Sequence, residues 1–77
     1  MPEFPTFIEA LRAKQRELGE GDECFARRLG ISRGQWVHLR HGNRQPTPGF
    51  VREHVRPLWP ELVQIYLDDL NQWISRS

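Results

Sequence analysis

Cysteine is nearly absent from this 77-residue chain. Cys24 stands alone, so no internal disulfide can form, and the simple expectation is a reducing, cytoplasmic setting. Long apolar runs are missing as well. No stretch is long and apolar enough to cross a bilayer, and the start of the chain lacks the apolar run of a secretory signal. Apolar residues never alternate with polar ones over a useful length, which argues against strands. There is no internal repeat and no low-complexity segment. The ligands of a metal site are scarce too. His38 and His41 are three apart on one helix, but Cys24 is alone and His54 falls on a different helix, so no zinc set is complete. Neither metal nor cofactor is expected. A Cys/His nucleophile pair would need Cys24 beside a histidine in a pocket, and a chain this short leaves little room for one, so the expectation is a binding module rather than an enzyme.

What is present is an ordinary globular balance, 38% hydrophobic and 27% charged residues. The length is that of one small domain, spanning 1–77, and a domain of this size buries only about 60% of its unfolded surface. Apolar residues recur at helical spacing. Phe7, Ile8, Leu11 and Leu18 mark a first helix over 7–18. Thr6 and Glu9 before it have the spacing of a capping box. Asp22 is a good N-cap for a short second helix over 23–29, whose inner face is Phe25, Ala26 and Leu29. Ser32 and Gln35 form a second capping box opening a third helix, 33–41, which Gly42 stops. Thr47 followed by Pro48 opens a fourth helix, with Phe50, Val51 and Val55, which must end before Pro57. Pro60 starts a fifth, over 60–75. The fold class is therefore all-α, with five helices.

The sharpest signal lies in the second and third helices and the three-residue turn between them, the stretch 22–41. Two helices crossing steeply over so short a turn need a small side chain at their close approach, which Ala26 supplies. The turn needs positive φ, which Gly30 reaches without a Cβ clash. Ile31 plugs the space under the turn, and Trp36 and Leu39 hold the third helix against the second. From Asp22 to Phe50, DECFARRLGISRGQWVHLRHGNRQPTPGF, this pattern resembles the helix-turn-helix of the lambda-repressor-like family, which contains the Cro and phage repressor DNA-binding domains. The five-helix order of the whole chain fits that family more loosely.

At 100° per residue, Trp36 and Leu39 define the buried side of the third helix. The opposite side is centred on Gly34 and His41, flanked by Val37 and His38, with Arg33 at the edge. In the resembled family this outward side enters the major groove of double-stranded DNA, and residues near the helix start touch base edges. Carried over by position, the base-contacting residues are Arg33, Gly34, Val37 and His38. Arg33 suits guanine O6 and N7, Val37 a thymine methyl, and His38 a base-edge donor or acceptor, while Gly34 permits close backbone approach. The phosphate-contacting residues are Ser32, Arg40, His41, Asn43, Arg44 and Gln45. In the first turn of the second helix, where many family members carry a polar residue against phosphate, this chain has Asp22 and Glu23, which repel a duplex backbone unless they point away.

The net charge of +1 hides an uneven distribution. Residues 27–56 carry seven arginines against Glu53, a net +6, whereas 1–26 carry a net −3 and 57–77 a net −2. A basic centre is what counterion release from a duplex needs. The fifth helix carries apolar residues over an arc of roughly 200°, twice the ~100° stripe of a core-facing helix. Val63, Leu67, Leu70 and Ile74 form one flank, and Leu62, Ile65, Tyr66 and Trp73 the other. One flank serves the domain's own core. The other is expected to meet a second copy; the pattern leaves open which flank does so, and Leu62, Ile65, Tyr66 and Trp73 are the candidate homodimer interface. The resemblance thus implies a sequence-specific, dimeric transcriptional regulator, a repressor by preference. The rival reading is a protein-interaction module on the same fold, such as an antitoxin-like or polymerase-binding factor.

Overall fold

The computed structural model describes residues 4–76, and among them there are helices and no strands. Helix α1 is Pro5–Leu18, α2 is Asp22–Leu29, α3 is Arg33–Arg40, α4 is Pro48–Phe50 and α5 is Glu61–Arg76. The α4 helix continues without a break into a π-helical turn, Val51–Val55.

The first helix begins earlier than its sequence suggests. Pro5 takes the first helical position, where its missing N–H costs nothing and its fixed φ is already suitable. Phe4 becomes the N-cap, and its side chain is drawn into the core, stacked on the Tyr66 ring with 4.9 Å between centroids. Thr6 therefore lies inside the helix and forms no cap. The capping oxygen comes from the far end of the chain: the Phe7 backbone N–H donates to Asp69 Oδ2 at 2.7 Å. Asp69 is 3% exposed. Its place near the N-terminus of α1 is where the helix dipole favours an anion.

Helix α2 likewise starts at Asp22 rather than after it, with Gly21 as the N-cap and no side-chain cap. It closes on Gly30, φ +79°, with the Gly30 and Ile31 N–H groups donating back to the Arg27 and Ala26 carbonyls at 3.1 and 3.0 Å. This paired closure spends two free carbonyls and reverses the chain within three residues. Gly30 is also a contact point. A Cβ there would lie 3.1 Å from His54 Nδ1, on the π-helical turn, so that turn packs directly over the α2–α3 connection. Ahead of α4, the Thr47 hydroxyl accepts from the Phe50 N–H at 3.1 Å, as its position before Pro48 suggests.

One core gathers side chains from every helix. Ala26 sits at the close approach and is buried. Phe25 lies between the Trp36 and Trp59 rings, at 4.8 and 5.8 Å. Helix α5 crosses α1 and turns Leu62, Tyr66 and Asp69 inward, with Trp73 half-buried beside Phe4. The flank named as the candidate interface is thus the one turned toward the core. Leu62 and Tyr66 are each 3% exposed, so the chain's own core already covers them, and Ile65 and Trp73 are half-buried against it. The flank left outside holds Leu67 at 41% and Ile74 at 61% exposure, with Val63 and Leu70 half-buried at its inner edge. Angular position on a helix gives the width of an apolar arc but not where its neighbours stand. Here α1 and the loop before α4 claim the Tyr66 side. The Tyr66 hydroxyl donates to the Pro46 carbonyl at 3.2 Å, and burial pushes its pKa above the usual 10.0, so it remains a donor at neutral pH.

Candidate nucleic-acid interface

The capping box at the start of α3 is complete. The Gln35 N–H donates to Ser32 Oγ at 3.2 Å, and the Ser32 N–H donates to Gln35 Oε1 at 2.9 Å. This fixes the first turn so that Arg33 is the first helical residue. Two turns further on, the Gly42 and Asn43 N–H groups close the helix on the Leu39 and His38 carbonyls at 3.2 and 2.9 Å. Between these ends, Trp36 is fully buried and Leu39 nearly so.

The opposite face is open. Arg33, Gly34, His38 and His41 are exposed, and Val37 is half-buried. A Cβ at Gly34 would meet nothing within 4 Å. The exposed Ser32 spends its oxygen as an acceptor within the cap and keeps its hydroxyl hydrogen to donate. Asn43, Arg44 and Gln45 are exposed on the loop that Tyr66 pins through Pro46. Arg44 and Gln45 line a cleft of about 230 Å³ over Ile31, Leu39 and Phe50. Arg33, Gly34, His38 and His41 are thus open on α3, and Asn43, Arg44 and Gln45 on the loop that follows it.

Arg40 is the exception. It was expected at phosphate, yet it is half-buried, and Nη2 donates to Asp22 Oδ2 at 3.0 Å. The reason is angular: Arg40 follows Trp36 by four residues, so it leans toward the buried side and over the start of α2. Asp22, read from its residue type as a cap, is instead a junction. Its Oδ1 also accepts from Gln15 Nε2 at 3.0 Å and from Trp36 Nε1 at 3.1 Å. The Gln15 hydrogen bond foremost, then the positive charge of Arg40, holds its carboxyl below the ordinary 3.8 despite partial desolvation. The sign follows: the contribution of this junction to stability is complete well above pH 3.8 and is lost as the pH falls through the lowered value.

The basic centre is thinner in space than in sequence. Glu20, Asp22 and Glu23 fold back onto Arg28, Arg40 and Arg27 respectively. The Arg28–Glu20 pair has two hydrogen bonds, at 3.0 and 2.7 Å, and they hold Glu20 below its usual pKa. Among the described residues no ion pair engages Arg33, Arg44, Arg52 or Arg56. Arg33 and Arg44 belong to the α3 face and its following loop. Arg52 and Arg56 rim a second cleft, of about 210 Å³, whose walls include Val51, Val63 and Leu67 beside the exposed flank of α5. Among the described residues no group of three or more histidine, cysteine or acidic side chains is placed to hold a metal ion. Among the described residues no helix is long and apolar enough to cross a membrane either.

Sequence reasoning missed the Asp22 junction, because its members come from three helices. The one available signal was the 36/40 spacing, which puts tryptophan and arginine on adjoining turns of one face.

Compared with protein-family models, curated proteins and solved structures, the chain matches none.

Proposed function

We propose that this chain is a sequence-specific double-stranded DNA-binding regulator, a repressor by preference, built on a lambda-repressor-like helix-turn-helix of α2 and α3. The observation that carries the reading is the sidedness of α3. Its Trp36 and Leu39 side is buried, while Gly34 and His38 stand exposed opposite with Arg33 exposed at the edge, and Arg44, in no ion pair among the described residues, is exposed on the following loop. An eight-residue helix presented this way fits a major groove about 12 Å wide. Arg33 reads guanine. Val37 and His38 read neighbouring edges. Ser32, His41, Asn43, Arg44 and Gln45 follow the sugar-phosphate backbone and set register.

The test is binding to a panel of duplexes, including the DNA upstream of the chain's own gene, at several salt concentrations. Affinity depends on sequence and falls steeply with salt. Arg33→Ala loses about 1–3 kcal/mol of discrimination at one position, and Arg44→Ala weakens every sequence alike and lowers the salt slope by about 0.9. Unchanged sequence preference in Arg33→Ala rules out Arg33 as the reading residue.

A second copy completes the reading. Leu67 and Ile74, with Val63 and Leu70, form an apolar strip that a two-fold partner strip covers, pairing two recognition helices on neighbouring half-sites. Light scattering over a dilution series then shows a dimer that Leu67→Glu converts to monomer. A wild-type chain that stays monomeric at the highest concentration removes the homodimer. The rival, a protein-interaction module, is favoured if no duplex binds at low salt.

A further inference from the structure

Asp22 is surrounded by donors from both neighbouring helices: Gln15 from α1, and Trp36 and Arg40 from α3. It stands at the first position of α2, on the same side of the fold as Arg33, whose charge reaches it. Arg40 is held by a single hydrogen bond, and its Nε is buried with no partner. A guanidinium satisfied this incompletely has spare donors that a phosphate would engage in parallel pairs. In the folded chain Asp22 competes for it.

We propose that Asp22 is a positioning and charge-restraining residue of the duplex-binding face: it fixes α3 through Trp36 and keeps Arg40 off the DNA backbone. The inference rests on the duplex-binding reading. Its consequence is weaker background binding to any duplex. Non-specific affinity comes almost wholly from the number of phosphates neutralised, whereas discrimination comes from base contacts. Withdrawing one arginine, and leaving one carboxylate at the edge of the interface, lowers the first without touching the second. The chain gives up tight binding to any duplex and keeps its preference for one. Glu23 and Glu20 do the same to Arg27 and Arg28 further along α2, but only Asp22 ties the restraint to the helix that reads.

The experiment compares salt dependence on a non-specific duplex for the wild type, Asp22→Asn, Arg40→Gln and the double variant. Asparagine keeps the size and one carbonyl acceptor for Gln15 and Trp36 but cannot hold Arg40 by charge. The expected result for Asp22→Asn is a salt slope steeper by about 0.9–1.8, and non-specific affinity higher by roughly tenfold at 0.1 M salt, for one or two added phosphate contacts. Specific affinity rises by a like factor, because a phosphate contact adds to both, and the order of preference among sequences stays the same. Arg40→Gln alone leaves the wild-type slope in place, and the double variant loses the part of the gain that Arg40 supplied. A merely structural role lowers the melting temperature of Asp22→Asn without moving the slope, and that result overturns the proposal. So does a slope that drops by about one in Arg40→Gln, which would put Arg40 already on phosphate.

Should Asp22→Asn fail to fold, NMR of the wild type decides. On titration with the same duplex, the Arg40 Nε–H and Trp36 Nε1–H resonances stay fixed while those of Arg33 and Arg44 move. Movement of Arg40 together with Arg33 and Arg44 overturns the proposal. A wild type that binds no duplex at 50 mM salt instead defeats the duplex-binding reading itself.

Discussion

Trp36→Ala is expected to remove about 3–5 kcal/mol, a large share of the folding free energy. The side chain is fully buried, meets Phe25 at 4.8 Å and supplies the one indole N–H that reaches Asp22. Truncating a buried aromatic to alanine costs about 3–5 kcal/mol, through lost transfer energy and the cavity left behind. A chain of this length has a total of roughly 4–12 kcal/mol at the usual 0.05–0.15 per residue. The melting temperature should therefore fall by more than about 12 °C, at roughly 4–8 °C per kcal/mol. Trp36→Phe is the informative control. It keeps a ring against Phe25 and loses mainly size and the bond to Asp22, whose Gln15 and Arg40 partners remain, so its cost should be well under half as large. If Trp36→Ala costs less than about 1 kcal/mol in urea unfolding, the residue is no core anchor and the sidedness of α3 loses its basis.

The second large effect is at Asp69. Asp69→Ala leaves the Phe7 N–H without an acceptor in a buried place, at about 1–3 kcal/mol, and withdraws an anion from the start of α1, at about 0.3–1 kcal/mol more. Urea unfolding should register about 1–4 kcal/mol in all. Hydrogen exchange gives a local signature: the Phe7 amide should lose protection by more than its neighbours Ile8 and Leu11. Asp69→Asn keeps an acceptor and should recover about half of the loss. A cost below about 0.5 kcal/mol for Asp69→Ala would mean that the 2.7 Å bond adds nothing to the fold.

Local signals were legible and distant ones were not. Ser32 with Gln35, Thr47 with Phe50, and the turn at Gly30 all act across three to five residues, so their residue types and spacing fix them. Thr6 with Glu9 has the same spacing and failed. The start of α1 is decided by Phe4 entering the core against Tyr66 and by Asp69, more than sixty residues away. Asp22 has the side chain of a cap, but three donors from other helices claim it. Nothing in residues 51–55 announces a π-helical turn, where the Arg56 N–H reaches the Val51 carbonyl at 2.8 Å. For the candidate site, the outward face of α3 could be drawn from two apolar positions alone. Arg40 could not, because its partner lies on α2. The two flanks of α5 were legible as flanks, but their assignment needed the position of α1.

The bond between Phe7 and Asp69, with the Phe4 and Phe7 rings set against Tyr66, also bears on how the chain matures. While a ribosome is still making the middle of the protein, the first helix has neither its anion nor its aromatic bed. That helix gains both only once α5 has been made. Removing the stretch that holds Tyr66 and Asp69 would therefore leave the opposite end of the domain unsupported as well.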